Sequence, residues 1–202
     1  RIVSGQNILI SDNNNPNEPS IMLNPKNPAQ MMAASNLNNY FISKDTGRTW
    51  AIHTQTSSLG VWGDPVISVD TSGHFYYFHL SNPPNGNWID RIVCQKTDDH
   101  GGSWTDGSFT GLNGKKAQDK HWCAIDRKNN NIYLTWTQFD KYGSENPQDR
   151  SIILFSKSTD QGISWSSPIK INQIDGDCID SDNTVEGAVP AVGTEGQIYV
   201  SW

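Results

Sequence analysis

The sequence predicts an all-β chain whose four-stranded sheets stand around an axis as the blades of a β-propeller. Three observations carry that prediction. An eight-residue stretch recurs without gaps as Ser43–Trp50, Thr97–Trp104 and Ser158–Trp165, each reading Ser/Thr-x-Asp-x-Gly-x-Ser/Thr-Trp. Its aspartates, Asp45, Asp99 and Asp160, lie 54 and 61 residues apart, a period that belongs to blades or solenoid turns. A looser repeat runs beside it: Gly63–Asp70, Lys120–Asp126 and Gly187–Gly193 are each followed within a few residues by a short aromatic strand signal. Finally, no stretch shows helical apolar periodicity over ten residues, whereas short alternating runs between turn residues are everywhere.

The elements follow in order. Arg1–Ile10 reads as a strand closed by the turn residues Ser11–Pro16. Pro19–Leu23, Met31–Ser35, Tyr40–Ser43 and Ala51–Gln55 form a first four-stranded unit, with the octapeptide between its third and fourth strands. Pro65–Val69, Phe75–Leu80, Ile89–Lys96 and Thr105–Phe109 repeat it. Trp122–Ile125, Ile132–Trp136, Ser151–Lys157 and Ser166–Ile171 make the third unit, and Ala188–Val192 with Gln197–Trp202 open a fourth. The expected blades are therefore 17–56, 64–110, 120–171 and an incomplete 187–202. Three and a half blades fall short of the roughly 4–8 that close a ring. The remaining blades are expected from further chain.

Each octapeptide explains itself mechanically. The aspartate accepts hydrogen bonds from amides just ahead and closes a turn, the glycine takes the left-handed conformation the turn needs, and the tryptophan anchors the next strand. These three copies resemble the Asp-box, the bacterial neuraminidase repeat of sialidase-type β-propellers. The resemblance implies six or seven blades when the ring is whole and a secreted or cell-surface glycoside hydrolase of the exo-sialidase type acting on glycans or glycoproteins. It also implies an arginine cluster for the substrate carboxylate, a Tyr–Glu nucleophile pair and an Asp acid. On this sequence those roles would fall to Arg91 and Arg150, to Tyr142 with Glu145 or Glu186, and to Asp64 or Asp119. The family's Arg-Ile-Pro motif is absent; Arg1-Ile2-Val3 and Arg91-Ile92-Val93 only echo it. A non-catalytic glycan- or protein-binding propeller, or a purely structural module, is the alternative.

Meander order sorts the loops into two faces. The octapeptides lie between the third and fourth strands of each blade, on the face shared with the turn between the first and second. The opposite face is built by 56–64, 110–121 and 172–187, which enter the innermost strands, and by 80–91 and 137–150. Asp64, His121 and Glu186 fall at similar places just before the innermost strands, with Asp119 and Lys120 alongside. Trp62 and Trp88 on this face are expected as a platform for sugar rings, with His121 as a further substrate contact. Arg91 and Arg150 equally have Asp90 and Asp149 beside them as ion-pair partners.

Composition excludes some partners. A net charge of −6 with only 15 Lys and Arg argues against a nucleic-acid backbone, and no apolar run reaches the roughly 18 residues of a membrane-spanning helix. The chain starts at Arg1 rather than Met, as expected of a processed or trimmed N-terminus. No motif demands a cofactor. Asp175, Asp177, Asp180 and Asp182 offer closely spaced oxygens for calcium, or form a solvated acidic loop, since the order of a calcium-binding loop is missing. Cys94, Cys123 and Cys178 lack metal-site spacing. They read as buried thiols or as one disulfide, Cys123 with Cys178, plus a free thiol.

Overall fold

The computed structural model describes residues 5, 7–179 and 183–202. It is all-β, with fourteen strands among the described residues. The first sheet is β1 (Ser20–Leu23), β2 (Met31–Ser35), β3 (Asn39–Ser43) and β4 (Ala51–Thr54). The second is β5 (Gly63–Val69), β6 (Phe75–Leu80), β7 (Ile92–Thr97) and β8 (Ser108–Thr110). The third is β9 (Ala117–Ile125), β10 (Ile132–Phe139), β11 (Ser151–Ser158) and β12 (Ile169–Lys170), and β13 (Val189–Val192) pairs with β14 (Ile198–Ser201). Every pairing is antiparallel between sequence neighbours. The first strands of consecutive sheets pack side by side, β1 on β5, β5 on β9 and β9 on β13, so they line the axis. That is the blade arrangement of a β-propeller.

Burial follows from this stacking. The middle strands β6 and β10 are buried along their whole length, because another blade covers each face. Tyr76, Phe78, Leu134 and Trp136 fill one inter-blade core, and Met32, Tyr40, Phe75 and Tyr77 fill the other. The octapeptide tryptophans wedge into these seams. Trp104 meets the preceding blade's Tyr40 edge-on at 5.6 Å and its own blade's Tyr77 at 6.0 Å. Trp165 meets Phe78 at 6.1 Å and donates from Nε1 to Ser108 Oγ at 2.9 Å. Trp50 has no preceding blade here and donates to its own turn at Gly47 O, 3.0 Å.

The turns themselves are alike atom for atom. Asp45 Oδ1 accepts from the amides of Arg48 and Thr49 and Oδ2 from Thr49 Oγ1. Asp99 and Asp160 accept in the same way from Ser103 and Ser164. Gly47, Gly101 and Gly162 sit at φ of 80°, 85° and 78°, where a side chain would be strained. These hydrogen bonds hold each of the three carboxyls down at about 2.

Two expectations are corrected. Residues 7–10 are not in a strand, and Ile8 and Leu9 are exposed. The rest of that segment, 1–4 and 6, lies outside the described residues. The innermost strand of the third blade begins at Ala117 rather than Trp122, so Asp119, Lys120 and His121 are strand residues.

Candidate functional site

The innermost strands enter the sheets through a repeated irregularity. In β5, Asp64 and Pro65 together stand opposite the single residue His79, since Gly63 pairs with Leu80 and Val66 with Phe78. In β9, Lys120 and His121 likewise stand opposite Trp136. Each is a β-bulge, a device that turns a side chain out of the pleat. The first bulge residue is left-handed both times, with φ of 50° at Asp64 and 46° at Lys120. Glu18, two residues before β1, has φ 49°, and Gly187, two before β13, has φ 71°. All four backbones match. The four side chains do not: Glu, Asp, Lys and none.

These four positions, with Pro19, Pro65, His121 and Trp122, line a cleft of about 340 Å³ at the mouth of the axis. Lys120 Nζ is 3.1 Å from Asp64 Oδ2 and 3.3 Å from Glu18 Oε1. Asn36, from the first blade, ties the carboxylates together. It donates from Nδ2 to Glu18 Oε2 at 3.0 Å, and its Oδ1 accepts from the Asp64 amide at 2.6 Å. Asp119 is buried behind Lys120, whose amide donates to Asp119 Oδ1 at 2.8 Å.

Charge is divided unevenly across this cluster. Burial, and then the charge of Asp64, push the Asp119 carboxyl up to about 7. For Asp64 burial works against ionisation, but the hydrogen bond from Glu18 and the nearby cations outweigh it and hold the carboxyl below its ordinary range. Glu18 is raised, by that same hydrogen bond and by burial. Burial opposes the charge of Lys120, yet the carboxylates raise it overall. One acid is thus kept protonated near neutrality beside one kept ionised. His121 completes the wall: its side chain is buried, and burial lowers it to about 4.

Of the residues singled out in the sequence, Asp64, Asp119 and His121 come together here, and Glu186 precedes the cleft residue Gly187. Trp62, Trp88 and Tyr142 gather in a second group on the same face. Trp62 and Trp88 meet edge-on at 6.0 Å and Trp88 and Tyr142 at 5.7 Å. Arg91 is engaged elsewhere. Its guanidinium grips Asp90 with two bonds of 2.7 and 2.9 Å and lies 4.7 Å over the Phe109 ring. Arg150 starts β11's approach with its amide on Asp140 Oδ2 at 3.1 Å and is not a cleft residue. Glu145 is exposed on the Tyr142 loop.

In the acidic loop, Asp175 is bonded to Lys170 and Asn172, and Asp177 accepts from the Ile179 amide and Thr184. Asp180 and Asp182 lie outside the described residues. Among those described, no three His, Cys, Asp or Glu side chains are grouped as a metal site. Among the described residues, no helix is long and apolar enough to cross a membrane. All three cysteines are buried free thiols, so the Cys123–Cys178 disulfide is not formed.

Glu18, Asn36 and Lys120 had not been assigned roles. Glu18-Pro19 echoes Asp64-Pro65, and that acid–proline pair was the available signal for Glu18. Nothing comparable marks Asn36.

No family model and no curated protein matches the chain. Solved structures do. An arabinanase from Penicillium chrysogenum in complex with arabinobiose superposes with a TM-score of 0.62 at 14% identity, covering 96% of this chain and 61% of its own. The α-L-arabinofuranosidase of Fusarium graminearum, also with arabinobiose, gives 0.59 at 18% identity, covering 96% and 61%. A protein of unknown function from Dyadobacter fermentans gives 0.65 at 13% identity, covering 92% and 61%. The chain therefore shares its fold with these structures and spans about three fifths of their length.

Proposed function

We propose that the propeller containing this chain is a glycoside hydrolase that releases uncharged terminal sugars from glycans outside the cell, at the mouth of its axis. One observation carries the reading: Lys120 Nζ stands 3.1 Å from Asp64 Oδ2 and 3.3 Å from Glu18 Oε1 in the cleft, with Asp119 buried directly behind it and pushed up to about 7. Carboxyl pairs whose environments push them apart supply the acid and the base or nucleophile of glycoside hydrolysis. Asp119 would give its proton to the leaving oxygen. Asp64, kept charged by its hydrogen bond from Glu18 and by the nearby cations, would stabilise or attack the sugar carbon.

The charge of the cleft favours neutral over acidic sugars. No arginine is among the cleft residues, so a sialic-acid carboxylate would lack the guanidinium fork that suits it and would meet the ionised Asp64. The similarity to structures holding arabinobiose points the same way. A glycan-binding propeller without catalysis is the second reading, favoured by the exposed tryptophans.

The test is turnover by the full-length protein of neutral aryl glycosides, α-L-arabinofuranosides included, beside sialosides. Hydrolysis of a neutral glycoside, falling about 10²–10⁴-fold in Asp119→Asn, is expected. Hydrolysis of sialosides alone, or of nothing, would overturn the proposal; saturable glycan binding without product would install the second reading.

A further inference from the structure

Resting on that reading, we infer that Trp62, Trp88 and Tyr142 form a binding row for the sugars beyond the scissile bond, so that the substrate is a chain of neutral sugars rather than one sugar on a small leaving group. The three rings are 37%, 43% and 42% exposed, and consecutive pairs stand at right angles, both at 89°. Buried Phe139 holds Tyr142 edge-on at 5.1 Å. Three large aromatic surfaces left in water side by side mark a binding surface.

The row adjoins the acid cleft at both carboxylates. Trp62 is two residues before Asp64, with its amide fixed on Leu80 O at 2.9 Å. Ile89, the residue after Trp88, is buried; its amide bonds Ser81 O at 2.9 Å and its carbonyl accepts from Gln118, the residue before Asp119, at 2.7 Å. The tryptophans therefore stand on the backbone that positions the acids, and Tyr142 carries the row onto the next blade.

The chemistry of the loop chooses the occupant. From Asn82 to Ile89 the chain holds no charge, and Asn82, Asn85 and Asn87 intersperse amides with Trp88. Aromatic faces stack on the C–H faces of sugar rings while amides and the indole N–H bond their hydroxyls. The Asn82–Ile89 loop itself offers an acidic glycan, a nucleic acid or a charged peptide no counter-ion, and beside Tyr142 the exposed charges are of both signs, Lys141 and Glu145.

The experiment compares neutral oligosaccharides of increasing length with an aryl monoglycoside, using the full-length protein and its Trp88→Ala, Trp88→Phe and Trp62→Ala variants. Native kcat/KM is expected to rise with chain length. Trp88→Ala should lose about tenfold or more of that gain through KM, leave the aryl glycoside within about twofold, and be largely rescued in Trp88→Phe. Calorimetric binding to Asp119→Asn separates the two claims. Aryl hydrolysis without any length dependence in rate or binding overturns this inference and spares the active site. Length-dependent binding lost in Trp88→Ala, with no hydrolysis by the native protein, upholds the row and sinks the enzyme.

Discussion

The two ends of the propeller use aspartate in opposite ways. At one end Asp45, Asp99 and Asp160 recur with the same partners, open to solvent, each carboxyl drawn down to about 2 by donated hydrogen bonds. At the other end the backbone recurs, with φ between 46° and 71° in four consecutive blades, while the residue changes from Glu18 to Asp64 to Lys120 to Gly187. A non-glycine residue in that region costs about 1–2 kcal/mol, and three are retained. Where residue and geometry repeat together, the fold explains both. Where geometry repeats and chemistry does not, strain is being kept for the side chains it aims.

The largest effects should separate the ends by activity. Asp64→Asn is expected to lower turnover about 10²–10⁴-fold, as Asp119→Asn does, with little loss of melting temperature. Asp99→Asn should do the reverse, lowering the melting temperature while leaving kcat within about twofold. Equal activity losses at both ends would erase the distinction.

Acid and base titrations should have opposite signs. Asp119 is raised in the native state, so its favourable contribution is complete below about pH 4 and lost as pH rises to about 7. The loss is at most about 4 kcal/mol, since Asp64 and Glu18 share the protons. Asp119→Asn should flatten that limb of stability against pH. The turn aspartates are depressed, so their contribution is present above about pH 4 and lost as pH falls toward about 2. Asp99→Asn should flatten this second limb. Denaturant midpoints across pH 2–8 check both; activity should also fall above about pH 7 as Asp119 loses its proton.

Within the repeated end, position still matters. Trp104 is clamped between Tyr40 and Tyr77 of adjacent blades, and Trp104→Ala should cost about 3 kcal/mol. Trp50 bonds only its own turn and should cost about 1 kcal/mol in this chain. Urea unfolding of the two variants gives the comparison.

This division also decides what could be read in advance. The blade order and the seam tryptophans were legible because period-two alternation and an eight-residue repeat survive in the letters. The cleft end was only partly legible. Asp64 and Asp119 were visible, but the expected alignment of Asp64 with His121 and Glu186 is off by one residue. The matching left-handed residues are Lys120 and Gly187, and positive φ at Asp64 or Lys120 has no glycine to announce it. Asp90 beside Arg91 foretold their ion pair; Asn36, reaching across from another blade's loop, had no local signal at all.

The finest test exchanges the residue while keeping the backbone. Gly187 shows that the left-handed position tolerates having no side chain, so Asp64→Gly should fold. It relieves about 1 kcal/mol of backbone strain and forfeits a Lys120 contact worth about 0–1 kcal/mol, leaving stability within about 1 kcal/mol of native. Turnover should vanish with the carboxylate. If Asp64→Gly instead unfolds the protein, Asp64 is holding the strand start together, and the strained positions belong with the turns as scaffold.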